Sequence, residues 1–196
     1  MSDRRTISRD DIMPMEQYGA ERADRRRAMT ALKKDRRVAV GPDATFYFES
    51  YDTMWHQIHE MLYIERGGDE QIEDELRAYN PLIPNGRELV ATMMFEIDEP
   101  VKRARVLGSL GGVEDTISLR IGGETVMAVP EGDVDRTNAD GKASSVHFLH
   151  FPLTDAQAAA LKGGEAEVLL AIGHSNYGHM AILNEATRQA LASDLA

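Results

Sequence analysis

The chain has 196 residues, 42% of them apolar, enough to bury one core in a single domain with an appendage. The absence of cysteine excludes disulfides, thiol nucleophiles, thiolate zinc sites and an iron–sulfur cluster of its own, and fits a reducing cytoplasm. The net charge of −11 is unevenly spread, with 11 of the 22 Lys and Arg in residues 1–37 against 7 acids, so the acidic remainder lacks the continuous positive face that nucleic acid requires.

The first predicted element is a helix over residues 15–36 with a thin apolar stripe of Tyr18, Ala28, Met29 and Leu32. Its charge is opposite to that of the body, so residues 1–37 read as a basic helical arm on a single domain spanning residues 38–196. On that reading the arm serves a partner more than the core, and removing residues 1–14 should leave the melting temperature nearly unchanged. "RRVAVGPDATFYFES" predicts two short strands turning at Gly41-Pro42-Asp43, and a helix capped by Ser50 or Asp52 runs to Gly67-Gly68. A second helix follows from Asp69, and "YNPLIPNG" breaks it, because two prolines and Asn85-Gly86 force a turn.

"RELVATMMFEI" is the clearest strand: Leu89, Ala91, Met93, Phe95 and Ile97 alternate with Glu88, Val90, Thr92, Met94 and Glu96. A short helix over residues 100–110 leads to a hairpin at Gly122-Gly123 and then to a polar loop over residues 130–143. "SSVHFLHFPL" is a strand, and Thr154 and Gln157 form a capping box for a helix to Lys162. "EAEVLLAIGHSNYGHMAIL" is a hairpin turning at residues 175–178, and Asn184 caps the last helix. Hairpins outnumber parallel crossovers, so the expected fold is α+β, with a mainly antiparallel curved sheet or small barrel, flanking helices and the N-terminal arm. No window is long and apolar enough to span a membrane.

Two histidine groups raise the question of metal. In "DTMWHQIHEMLYIER", His56, His59 and Glu60 fall on the helix face opposite the apolar stripe of Met54, Ile58, Met61 and Leu62, where they can share an ion or form a solvated or partner-facing surface. They lack the His-Glu-x-x-His pattern of a catalytic zinc helix. His147 and His150, three apart on a strand, point to opposite faces. In "GHSNYGH" a four-residue turn would set His174 directly opposite His179, and such a pair can bind Zn²⁺ or Fe²⁺ if a carboxylate joins it, with Glu49, Glu60, Glu88 and Glu96 as candidates. Two glycines, two imidazoles and the Tyr177 phenol in so short a turn also mark that face for a partner.

Together, "GPDATFYFES", "DTMWHQIHEML", "YNPLIPNGRELVATMMFEI", "SSVHFLHFP" and "GHSNYGH" resemble an uncharacterised bacterial family, domain of unknown function 3501, over roughly residues 8–194. The match rests on Glu49, Thr53, Gln57, Glu60, Met61, Tyr79, Asn80, Pro81, Glu88, Thr92 and Glu96, and on His147, His174 and Tyr177. His56 and His59 lie outside it and read as local decoration. Members are often encoded beside rubrerythrin-like proteins and iron–sulfur oxidoreductases, so the resemblance implies a setting of iron, peroxide or electron transfer.

The leading expectation is therefore a non-catalytic accessory protein of the cytoplasm. It docks on an iron–sulfur or rubrerythrin-like partner through Tyr177, Glu88 and Thr92. The alternative is a Zn- or Fe-dependent enzyme with His174, His179 and a carboxylate from Glu49, Glu60 or Glu96 as ligands, and the third is a nucleic-acid-binding regulator using the arm.

Overall fold

Pro14, which has no N–H to leave unpaired, precedes α1 (Met15–Lys34). Strands β1 (Arg37–Val40) and β2 (Ala44–Phe48) follow as a hairpin whose turn passes Gly41 at φ +72°. Only glycine suits that position, since a Cβ there would also lie 2.6 Å from the His179 ring. α2 (Tyr51–Glu65) opens with a reciprocal cap: the Ser50 hydroxyl accepts from the Thr53 N–H, and the Thr53 hydroxyl accepts from the Ser50 N–H at 2.8 Å. α3 (Gly68–Tyr79) runs into a 3₁₀ turn, Asn80–Leu82, and β3 (Glu88–Phe95) follows.

The Glu99 carboxylate caps α4 (Pro100–Gly108), accepting the N–H groups of Val101 and Lys102. Beyond it come β4 (Ile117–Ile121), β5 (Glu124–Met127), β6 (Val129–Pro130) and β7 (Val146–Pro152). α5 (Asp155–Gly163) starts at the expected Thr154–Gln157 box. β8 (Val168–His174), β9 (Tyr177–Ile182) and α6 (Glu185–Ala192), capped by Asn184, complete the chain. The computed structural model describes residues 4–132 and 142–196, so most of the loop expected over residues 130–143 lies outside the described residues.

Among the described residues every strand pair is antiparallel, in two sheets ordered β1-β2-β3-β7-β6 and β5-β4-β8-β9. The fold is α+β, but the sheets do not close into a barrel. They share one apolar core instead, in which Val38, Phe46, Leu89 and Met93 of the larger sheet meet Ile117, Leu119, Leu170 and Ile172 of the smaller. The opposite face of the larger sheet carries a second cluster, where Val90 packs with Met54, Ile58, Leu62, Leu76 and Leu82 of the helices. Among the described residues, no helix is long and apolar enough to cross a membrane.

The N-terminal segment is packed. Ile7 is 1% exposed in the second cluster, and Asn80 brackets it, Oδ1 accepting its N–H at 2.8 Å and Nδ2 donating to its carbonyl at 2.9 Å. The Trp55 indole N–H donates to the Asp11 carbonyl at 2.9 Å. α1 then lies on the polar face of α2, with Gly19 so near Tyr63 that a Cβ would come within 2.8 Å of its ring. Arg22 forms a fork with Glu60 at 2.9 and 2.8 Å, and the Tyr18 hydroxyl donates to the same carboxylate at 2.8 Å. These bonds hold Glu60 down at about 2, the Arg22 hydrogen bond contributing most. The arm's bases thus face the chain's own acids, Arg25 with Glu21 and Arg27 with Asp24 as well.

Candidate functional site

His56 and His59, read from the sequence as an outward face, are buried beneath α1. His59 Nδ1–H donates to the Trp55 carbonyl at 2.7 Å, its Nε2 accepts the Met13 N–H at 3.1 Å, and its ring stacks on Trp55 with centroids 3.7 Å apart. Burial lowers its pKa to about 4, so it is a neutral structural clamp. His56 Nδ1 lies 3.2 Å from the Tyr18 hydroxyl, and burial lowers its pKa too. A polar and aromatic helix face looks solvated in one dimension; here a second helix covers it.

The hairpin of β8 and β9 differs from its expected register. Its loop is two residues, Ser175 and Asn176, so His174 pairs with Tyr177 and His179 pairs with Ile172. The two histidines are displaced by two pairs instead of directly opposite. His174 Nδ1 accepts the Asn176 N–H at 3.2 Å, and the His179 ring packs edge-on against Tyr177.

Tyr177, expected to face a partner, is 5% exposed, and its hydroxyl is fully used. It accepts the N–H groups of Asp43 and Ala44 at 2.8 and 2.9 Å and donates to the Val40 carbonyl at 2.9 Å, tying the smaller sheet to the β1–β2 turn. The aromatic content of "GHSNYGH" therefore has a structural use.

The four carboxylates proposed as metal ligands sit in four separate settings. Glu60 belongs to the α1–α2 contact. Glu96 accepts from Thr45 at 2.7 Å, Tyr47 at 2.5 Å and Arg37 at 3.1 Å, which lowers its pKa, Thr45 contributing most. Burial and Glu96 together push the Tyr47 phenol up to about 12. Glu49 lies elsewhere again, and among the described residues no group of three or more His, Asp or Glu has an arrangement that could hold a metal ion. Glu88 faces His150, whose other ring nitrogen meets Glu131.

What the fold gathers is a groove of about 340 Å³ between the outer face of the larger sheet and the ends of α1, α2 and α3. Glu49 follows the end of β2, and Thr92 projects from β3 on the face away from the shared core. Glu49 is 6% exposed; its Oε1 accepts the Thr92 hydroxyl and its Oε2 the Thr53 hydroxyl, each at 2.7 Å. Gln57, one turn beyond Thr53 on α2, reaches the same space, as does Tyr79, whose pKa is raised chiefly by burial. Tyr47, Met54, Leu82, Met94, Val146 and Phe148 supply an apolar and aromatic wall, with Lys33 at the end of α1.

The groove draws in Glu49 from the expected metal set and Thr92 from the expected partner set, while His174 and His179 line the other sheet. Sequence reading named Gln57 and Tyr79 within the resemblance but not as site residues. Their joint signal, polar residues on the inner faces of two consecutive helices, appears only once both helices dock on one sheet.

A crystal structure described as a novel protein of unknown function from Burkholderia pseudomallei K96243 is similar at 37% identity and a TM-score of 0.91, covering 97% of this chain and 100% of that one. No curated protein matches. Residues 6–195 match the family described as protein of unknown function (DUF3501), and the chain belongs to that family.

Proposed function

We propose that this protein is a non-catalytic accessory protein that binds a small molecule in the groove over Glu49. The single observation behind this reading is the convergence of Glu49, Gln57, Tyr79 and Thr92 on one cavity of about 340 Å³, within the range of small-ligand sites. Glu49 is fixed there, because each carboxylate oxygen already receives a hydroxyl hydrogen bond. A carboxylate so clamped is a stationary acceptor, which suits holding a group more than shuttling its proton.

The redox partner implied by the family resemblance, an iron–sulfur or rubrerythrin-like protein, docks on a different surface. Met127, Met180 and Ile182 are exposed on the outer face of the smaller sheet, where Met127, Ser118, Ala171 and Met180 form one row across four strands.

The test is native mass spectrometry of protein purified gently from its own host. The wild type should carry a small-molecule adduct that Gln57→Trp, which fills the groove, lacks. An adduct retained unchanged by that variant removes the groove reading. Met180→Asp with Ile182→Asp should abolish co-purification of an iron-containing partner while leaving the adduct in place.

A further inference from the structure

We propose that the groove accepts an organic cation: an ammonium or amidinium group carried on an apolar or aromatic body. The inference rests on reading the groove as a ligand site and names the class of ligand. Glu49 is a buried carboxylate held by two neutral hydroxyls, and among the described residues no cation pairs with it.

The nearest candidates are engaged or too distant. Arg36 donates Nη1 to the Glu49 backbone carbonyl at 3.3 Å, but its charge is committed to Asp194, which it grips through both nitrogens at 2.8 and 2.7 Å. Lys33 lines the groove without coming within ion-pair distance of Glu49. Burying a carboxylate without a counter-charge is unfavourable, and two hydroxyl hydrogen bonds offset the loss of water only in part.

A carboxylate that accepts one bond at each oxygen retains lone pairs for further donors, which an ammonium or amidinium can satisfy. The surroundings define the rest of the ligand. Phe148, Met94 and Val146 offer apolar contact, and the Tyr79 and Tyr47 rings stand where an aromatic or alkyl body would lie. An anionic ligand would place a second negative charge against Glu49, and a neutral one would leave it without a counter-charge.

The experiment titrates the full chain with phenethylamine and benzamidine, with their uncharged counterparts 2-phenylethanol and benzamide, and with phenylacetate. Binding is read by calorimetry and by amide chemical shifts around residues 49, 57, 79 and 92. The two cations should bind about tenfold or more tightly than the neutral molecules, phenylacetate should not bind, and Glu49→Gln should remove the preference. Neutral and cationic probes binding alike, or a preference surviving in Glu49→Gln, overturns the cation assignment while leaving the groove as a ligand site. No shift at these residues with any probe overturns both. Should Glu49→Gln fail to fold, Gln57→Glu serves instead: a second carboxylate must raise affinity for the cations, and unchanged affinity counts against the proposal.

Discussion

His150 lies between two carboxylates, Nδ1 at 3.1 Å from Glu88 and Nε2 at 2.7 Å from Glu131, so its protonated form satisfies β3 and the segment after β6 at once. Its pKa is raised, by the Glu88 hydrogen bond first and Glu131 next, against the opposing effect of burial. A raised histidine contributes stability that is fully present below its unfolded value near ~6.5 and is lost as pH rises through the folded value. Melting temperature should therefore fall more steeply above pH ~6.5 in the wild type than in His150→Gln, by roughly 2–4 °C across the transition. Thermal denaturation at a series of pH values checks this, and parallel profiles would show that the pair of contacts carries no linked proton. His59 does not confuse the reading, because its folded value near 4 confines its effect to the acid side, where stability is lost as pH falls below ~6.5.

At the scale of elements, the N-terminal segment and α1 are bound to the body by mixed chemistry in place of a broad apolar stripe. Ile7 supplies burial, Asn80 closes both backbone groups of that residue, and Trp55 and His59 take the backbone groups of Asp11 and Met13. Removing residues 1–14 takes Ile7 out of the apolar cluster it shares with Ile58 and Leu62 and leaves the Asn80 amide, the Trp55 indole N–H and His59 Nε2 without these partners. The deletion should lower the melting temperature by roughly 10 °C, the reverse of what the thin stripe suggested. Circular dichroism of the shortened chain decides between the two. The first expectation counted only aliphatic positions, whereas Tyr18, His59 and Glu60 form an interface whose hydroxyl, ring nitrogens and carboxylate oxygens are paired, and residue type alone does not distinguish such a face from a wet one.

Across the whole molecule, the two sheets share one core and are pinned at one edge by Tyr177. Tyr177→Phe retains the ring contacts with Phe95 and His179 but strips partners from two buried N–H groups and one carbonyl. The change should destabilise the protein by about 2–4 kcal/mol, and unfolding should remain a single transition because one core spans both sheets. Chemical denaturation followed by tryptophan fluorescence and by circular dichroism tests both parts. Trp55 reports on the helical layer and ellipticity on the whole, so separate midpoints would contradict a shared core.

The alternation of "RELVATMMFEI", the Gly122-Gly123 turn and the caps at Ser50, Thr154 and Asn184 were legible because each depends on residues within one turn or one strand. Together with the run of hairpins they were enough for the α+β class and the antiparallel pairing. Loop length in "GHSNYGH" was not legible, since two- and four-residue loops both suit its composition, and that choice moved His179 opposite Ile172. The groove was legible only as scattered members: Glu49, Gln57, Tyr79 and Thr92 come from four successive elements, and nothing local states that they meet. Tertiary packing decided that, because the apolar stripes of α2 and α3 dock against Val90 on the outer face of the larger sheet and carry their polar neighbours to its uncovered part.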